Sequence, residues 1–298
     1  MQKIIIGSRG SDLALWQANF VKSQLEALNC EVEIKIIVTQ GDAIQNLSFD
    51  KLEGKGFFTK EIENELLAGT IDLAVHSHKD LETNPPFGLK IAAVSDREDP
   101  KELLLIQKSA VNSSQKWNLS QNASIGTSSA RRKSLVVKFR PDLQIKELRG
   151  NVPTRIQKLR DGLYDAILLA KAGIERLKID LSEFHVEILD PTEFVPAPAQ
   201  GVLGLQIREE DKNLELLLQK INNKEVAKKI GLERKVLNQM EGGCQLPLGV
   251  YCPNEQEVYV SYAKNWENGA TIHHFSIDDF DTISSKIVAK LLENSSLV

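Results

Sequence analysis

Apolar runs of strand length alternate along this chain with segments of helical period. Lys3 to Ile6 reads as a strand, and Gly7-Ser8-Arg9-Gly10-Ser11 then turns into a helix whose inward stripe is Leu13, Trp16, Phe20, Val21, Leu25 and Leu28. Val32, Ile34, Ile36 and Val38 alternate with Glu31, Glu33 and Lys35, the period of a half-buried strand. A polar loop containing Gly54-Lys55-Gly56 leads to a helix near Thr59 to Ala68 that Gly69 closes. Ile71 to Val75 is the next strand, and it delivers His76-Ser77-His78-Lys79-Asp80 at its carboxyl end, where open α/β sheets place their ligands.

The pattern restarts after Asp99-Pro100. Ser109 to Ser124 is serine-rich and reads as a surface excursion. Ile125 leads into Gly126-Thr127-Ser128-Ser129 and a helix through Phe139. Gln144 to Leu148 is a strand, Pro153 suits the first turn of another helix that Gly162 stops, and Asp165 to Ala170 is a further strand. Pro191, Pro196 and Pro198 stiffen a connector to Gln200-Gly201 and the strand-like Val202 to Ile207. Leu214 to Met240 carries a helical pattern, and the remainder reads as two or three strands and a helix with the stripe Ile283, Ile287, Leu291 and Leu292. The pattern describes two α/β lobes and a smaller α+β tail, with no repeat short enough for a solenoid.

At 298 residues, 42% of them apolar, the chain has material for two or three domains with ordinary cores. The apolar run at the amino terminus is too short for a signal peptide and no stretch reaches membrane-spanning length, so a cytoplasmic protein that engages no membrane is expected. Cys30, Cys244 and Cys252 are odd in number and lack zinc-type spacing, which points away from a disulfide framework and from a structural metal.

Net charge −4 makes the arginines stand out. Gly126-Thr127-Ser128-Ser129-Ala130-Arg131-Arg132 and Leu148-Arg149-Gly150-Asn151-Val152-Pro153-Thr154-Arg155 set guanidinium forks beside N–H and O–H donors at two expected helix starts. That is a built anion site, whereas general attraction to nucleic acid would need a basic surface. The ligand is expected to carry several carboxylates or phosphates. Gly7-Ser8-Arg9 lacks the rest of a phosphate-loop or dinucleotide fingerprint, so nucleotides are disfavoured. His76 and His78 could share an ion from alternate strand positions, but His185, His273 and His274 lie without complementary ligands, and no metal is expected. Asp80 has two readings, a helix cap after its strand or a carboxylate for acid and base chemistry. Cys244 is either a buried small hydrophobe or, beside Gly242-Gly243, an attachment point, while Cys30 and Cys252 read as structural. Arg140, Arg160 and Arg208 suit solvated helix faces.

Several motifs occur together and in order: Gly7-Ser8-Arg9, Gly54-Lys55-Gly56-Phe57-Phe58, Ala74-Val75-His76-Ser77-His78-Lys79-Asp80, Gly126-Thr127-Ser128-Ser129 with Arg131-Arg132, Leu148-Arg149-Gly150-Asn151-Val152, Gln200-Gly201 and Glu241-Gly242-Gly243-Cys244. With these the chain resembles the porphobilinogen deaminase, or hydroxymethylbilane synthase, family over nearly its whole length.

The resemblance implies an α/β fold of two periplasmic-binding-protein-like lobes with the active cleft between them, plus a small α+β C-terminal domain. Residues 1–99 with 195–215 would form lobe 1, residues 100–194 lobe 2 with the arginine-rich anion site, and residues 221–298 the domain carrying the cofactor cysteine loop. It implies a transferase of heme and tetrapyrrole biosynthesis that joins four porphobilinogen molecules head to tail, losing ammonia each time, on a covalent dipyrromethane cofactor held by a thioether to Cys244. Hydrolysis then releases hydroxymethylbilane. The implied partners are porphobilinogen and the growing polypyrrole chain, with a monomeric enzyme and no nucleic acid. By the same resemblance Asp80 is catalytic and touches the cofactor. Lys79, Thr127, Ser129, Arg131, Arg132 and Arg155 bind the cofactor, and Arg9, Ser11, Arg149, Arg155, Arg176 and Gln200 bind substrate. Lys55, Phe57 and Phe58 belong to a lid over residues 43–58. His78 departs from the methionine common in relatives and receives no role. The rival is a two-lobed anion-binding module without catalysis, which would have no need of Cys244 in its Gly-Gly-Cys setting.

Overall fold

The computed structural model describes residues 3–39, 59–243 and 245–295. The chain forms two compact units, Met1–Glu98 with Gln200–Lys228, and Asp99–Ala199 with Lys229–Val298. The elements begin with β1 (Lys3–Ser8), α1 (Asp12–Glu26), β2 (Glu31–Ile36), α2 (Lys60–Leu67), β3 (Leu73–Ser77) and β4 (Leu89–Val94). There follow β5 (Glu102–Ile106), β6 (Ser124–Gly126), α3 (Ala130–Phe139), β7 (Gln144–Lys146), α4 (Val152–Arg160), β8 (Ala166–Ala170), α5 (Lys171–Leu177) and β9 (His185–Leu189). The chain ends with β10 (Leu203–Arg208), α6 (Lys212–Leu218), α7 (Lys224–Gln239), β11 (Leu248–Tyr251), β12 (Glu257–Tyr262), β13 (Thr271–Ser276) and α8 (Ile283–Ser295).

Two five-stranded sheets share one plan, β2-β1-β3-β10-β4 in the first lobe and β7-β6-β8-β5-β9 in the second. In each, three parallel strands are followed by two strands that pair antiparallel. The alternation of β1 sends Ile4 and Ile6 into a core with Val21 and Leu25 of α1, and Ile5 toward another with Ile62 and Leu66 of α2. A third, antiparallel sheet, β11-β12-β13, packs Val258 and Val260 with Val236 of α7 and Ile287 of α8.

The shared plan extends to a joint built twice, from Gly69-Thr70-Ile71-Asp72 and Gly162-Leu163-Tyr164-Asp165. Each glycine takes a left-handed φ, 72° and 73°, as its helix ends. The next N–H bonds back to a helix carbonyl, Thr70 to Glu65 at 3.1 Å and Leu163 to Lys158 at 3.2 Å. The aspartate then accepts a backbone N–H from the first parallel strand, Ile5 at 2.8 Å or Ser124 at 2.7 Å, and returns its own N–H to the same residue's carbonyl. The preceding side chain fills the space a glycine leaves: a Cβ on Gly7 would come within 2.3 Å of Ile71, and one on Gly126 within 2.9 Å of Tyr164.

Several expectations need correction. Strands β4, β5 and β9 have no counterpart in the sequence reading; β5, Glu-Leu-Leu-Leu-Ile, is wholly buried and shows no alternation. The serine-rich stretch is a surface excursion only in part: Ser113, Ser114, Lys116 and Gln121 are exposed, but Ala110, Leu119 and Ala123 are buried, and Trp117 meets Phe139 and Phe194 edge-on. The helical pattern from Leu214 to Met240 breaks at Asn222-Asn223, where Asn222 accepts the Val94 N–H and Asn223 accepts that of Val226. The α1 stripe is centred on Gln17, Ala18, Val21 and Leu25, with Leu13, Trp16 and Phe20 only half-buried. Arg140 and Arg208 are not solvated. Arg140 is 4% exposed and binds Asp142 together with the carbonyls of Lys116, Leu119 and Ser120, and Arg208 grips the carbonyls of Leu66 and Ile71.

Candidate active site

In the first lobe β3 runs into a single 3-10 turn, His78–Asp80. Asp80 is exposed and accepts no hydrogen bond among the described residues, so it is not a helix cap. The turn is tied from both sides. Gln17 of α1 donates to the Ser77 hydroxyl at 2.8 Å, and Lys79 donates to the side chain of fully buried Gln200 at 3.1 Å. Arg97 in turn donates to the Gln200 carbonyl at 3.0 Å. Arg9, half-buried, leaves the end of β1, and Ser11 starts α1.

Behind the turn runs a buried polar chain. The amide of Gln206 donates to Glu63 at 3.0 Å, so its oxygen is left to accept from His76 Nε2 at 3.2 Å, which fixes the imidazole as the Nε2–H tautomer. Burial, opposed by the Gln206 bond and reinforced by the charge of Arg9, lowers the His76 pKa from 6.5 to about 4. His76 is therefore neutral at physiological pH. This chain occupies one of the two imidazoles considered for a metal, and no cluster of metal-ligating side chains occurs among the described residues.

In the second lobe the chemistry is ionic. Ser129 caps α3 by accepting the Arg132 N–H at 3.4 Å, and the hydroxyl of buried Thr127 accepts the Ser129 N–H at 3.3 Å. Arg131 and Arg132 point back into the lobe and are 5% and 6% exposed. Both meet Glu102 of β5: Arg131 Nη2 at 2.6 Å, Arg132 Nε at 3.1 Å and Arg132 Nη2 at 2.7 Å. Their Nη1 atoms donate to the carbonyls of Val195 and Leu168. Burial pulls the Arg131 pKa below its ordinary value, with Glu102 opposing and Arg132 adding to the shift.

The other arginines line neighbouring segments of this unit. Arg155 Nε donates to the Gly150 carbonyl at 2.7 Å, and Arg176 on α5 is buried. Burial raises the Glu147 pKa, but Lys133, Ser128 and Arg149 outweigh it and hold the carboxyl below its ordinary range. Cys244, Lys55, Phe57 and Phe58 lie outside the described residues, as does the stretch from Ala43 to Phe58. Next to Cys244, Gly243 faces open space, whereas a Cβ on Gly242 would press within 2.5 Å of Leu246.

Glu102, Glu63, Gln17, Gln206 and Arg97 escaped the sequence reading. Glu102 had a signal, a carboxylate at the head of an otherwise apolar strand, where a buried charge needs a partner. Gln206 had none.

Residues 4–216 match the family described as "Porphobilinogen deaminase, dipyromethane cofactor binding domain". A porphobilinogen deaminase of Sulfurimonas denitrificans is 39% identical over 304 residues, covering 99% of this chain and 96% of that protein. One from Bacillus thuringiensis is 46% identical over 253 residues, 84% of this chain and 80% of that protein. Among solved structures, a Salmonella typhimurium periplasmic binding protein is similar at TM-score 0.42 and 12% identity, over 76% of this chain and 94% of that one. A periplasmic domain of Bordetella pertussis BvgS is similar at TM-score 0.43 and 12% identity, over 78% and 92%.

Proposed function

The chain belongs to the porphobilinogen deaminase family, and we infer that it is a hydroxymethylbilane synthase whose carboxylate chemistry sits in the first lobe and whose anion grip sits in the second. It is a transferase acting on porphobilinogen. Four molecules are condensed head to tail, one ammonia leaving at each step, and the linear tetrapyrrole is released by hydrolysis.

The donor set of the second lobe fits a dipyrromethane, which brings a row of carboxylates. Two buried guanidiniums share the single carboxylate of Glu102, a combination that favours a further anion. Thr127, Ser129, Arg131, Arg132 and Arg155 would hold it from this lobe, and Lys79 and Asp80 would contribute from the turn after β3. Cys244 would carry the thioether. When bound, the cofactor supplies the pyrrole carbon from which the chain grows.

The exposed Asp80 carboxylate is the observation that carries the mechanism. As the bond between the aminomethyl carbon and nitrogen of porphobilinogen breaks, positive charge spreads into the substrate pyrrole. A carboxylate at the pyrrole N–H stabilises that charge and holds the proton, while the departing amine leaves as ammonia. The same carboxylate serves when the new carbon–carbon bond forms and the attacked ring loses its proton. Arg9, Ser11, Arg149, Arg155, Arg176 and Gln200 would hold the acetate and propionate arms of incoming and growing rings.

The same proposal places the enzyme in the cytoplasm as a monomer, and its net charge of −4 supports the further reading that it binds no nucleic acid. It also treats residues 1–99 with 195–215, 100–194 and 221–298 as three domains, the third supported by its own core around Val236, Val258 and Ile287. Intact-mass spectrometry tests the central reading. The purified protein should exceed its polypeptide mass by one dipyrromethane, on a peptide containing Cys244, and Cys244→Ser should lose adduct and turnover together. An active enzyme without the adduct overturns it.

A further inference from the structure

The two lobes agree in their joints but not at the head of the helix that follows the first parallel strand. Leu73 pairs with Ile6 and Ala166 with Ile125, so four residues further on Ser77 corresponds to Ala170. Their partners on the antiparallel strands are Leu203 and Glu102. Counted from the caps Ser11 and Ser129, the second and third helical residues are Leu13 and Ala14 in α1 but Arg131 and Arg132 in α3. Where the first lobe uses leucine, leucine and alanine, the second uses a fully buried glutamate and two buried arginines.

Leu203 is buried but Leu13 and Ala14 are only half-buried, so the shared plan is built once without these charges, and exchanging a buried ionic cluster for apolar residues of similar volume is commonly neutral or stabilising. Resting on the proposal that the second lobe holds the cofactor, we propose that Glu102 is a positioning residue. It orients Arg131 and Arg132 as a single socket for a cofactor carboxylate, and the trio serves that grip rather than the fold. Glu102 takes Arg132 by Nε and Nη2 on its two oxygens, and its first oxygen also receives Arg131 Nη2. The Val195 and Leu168 carbonyls fix the other arm of each fork. Each guanidinium is thus locked in plane, yet five N–H groups per arginine exceed these contacts, and the surplus donors and charge remain for an anion.

The test replaces the trio by apolar residues of similar volume. In the triple variant Glu102→Leu, Arg131→Met, Arg132→Met, circular dichroism and melting should show a folded protein. Intact-mass spectra should show at least tenfold less dipyrromethane adduct than wild type. Glu102→Asp, which keeps the charge but shortens its reach, should load to an intermediate degree, and Glu102→Gln less. A folded triple variant carrying wild-type adduct overturns the socket. One that does not fold overturns the claim that the fold can do without the trio. Wild-type loading of Glu102→Gln removes Glu102 from the positioning role. A wild-type protein with no adduct overturns the underlying reading and this inference with it.

Discussion

The first and second lobes repeat the same strand order and the same glycine–aspartate joint, yet bury opposite kinds of polar group. In the first, the buried chain Glu63–Gln206–His76 ends on an uncharged imidazole, and the only carboxylate on the turn after β3 is left exposed. In the second, two guanidiniums are buried against one carboxylate. Backbone joints therefore set the frame, and a few side chains set the chemistry. The first lobe buries one carboxylate, Glu63, within an amide and imidazole chain, while the paired guanidiniums prepare the second lobe for anions.

The largest effect is expected at Asp80. Asp80→Asn keeps the shape and removes the charge, so the protein should fold and carry its adduct while condensation falls by several powers of ten, at about 1.4 kcal/mol for each tenfold. Single-turnover rates on adduct-bearing protein measure this, and near-normal turnover would leave the first lobe without its chemistry. Next come the arginines. Arg132→Leu leaves a ligand carboxylate unpaired, a loss of about 2–5 kcal/mol where the pair is desolvated, and should yield apoprotein. Arg176→Leu should load normally but accumulate enzyme bearing one to three extra pyrroles, which spectra taken during substrate addition resolve. Identical ladders from both variants and wild type would erase this division.

A smaller effect probes the joints. Asp72→Ala and Asp165→Ala each remove a charged acceptor from a backbone N–H and should cost about 1.5–3 kcal/mol in denaturant titrations. Neither should change adduct occupancy in folded protein. A large cost in one lobe and none in the other would show that the likeness is only geometric. The smallest effect is a pH slope. His76 has a pKa of about 4 in the folded chain against 6.5 as the ordinary value, so between these the unfolded chain binds the extra proton. Stability should then fall as pH drops through that window, by about 2 kcal/mol at pH 5 from this residue. His76→Gln should flatten the slope. An unchanged slope would mean that the imidazole is not held neutral.

Much of this was legible in the residues themselves. Gly69 and Gly162 announced helix ends, and the motifs around Asp80, Arg131 and Cys244 carried the family resemblance; the alternation of Val32, Ile34, Ile36 and Val38 announced β2 but not its buried face, since Ile36 and Val38 are exposed and Ile37 is buried. The repeated joint went unread because its evidence is a hydrogen bond that Asp72 accepts from Ile5, 67 positions away, and one that Asp165 accepts from Ser124, 41 away. Nothing local marks either aspartate. Arg140 looked like Arg160 on a helix surface, and only the loop from Lys116 to Ser120 folding over it made it a buried clamp, while Arg160 pairs with Glu183 in the open.

By itself the sequence determined what short-range physics fixes: the helix ends at Gly69 and Gly162, the strands whose apolar runs are short and bounded by turns, and which residue types are present for carboxylate and anion chemistry. Tertiary structure decided which of those residues are spent on one another. Glu102 heads β5 and Arg131 and Arg132 open α3, 29 and 30 residues later, and they meet only because β5 crosses to lie beside β8 in the sheet that α3 covers. Burial then turns that meeting into chemistry, since a charge removed from water must find its partner wherever the fold has placed one.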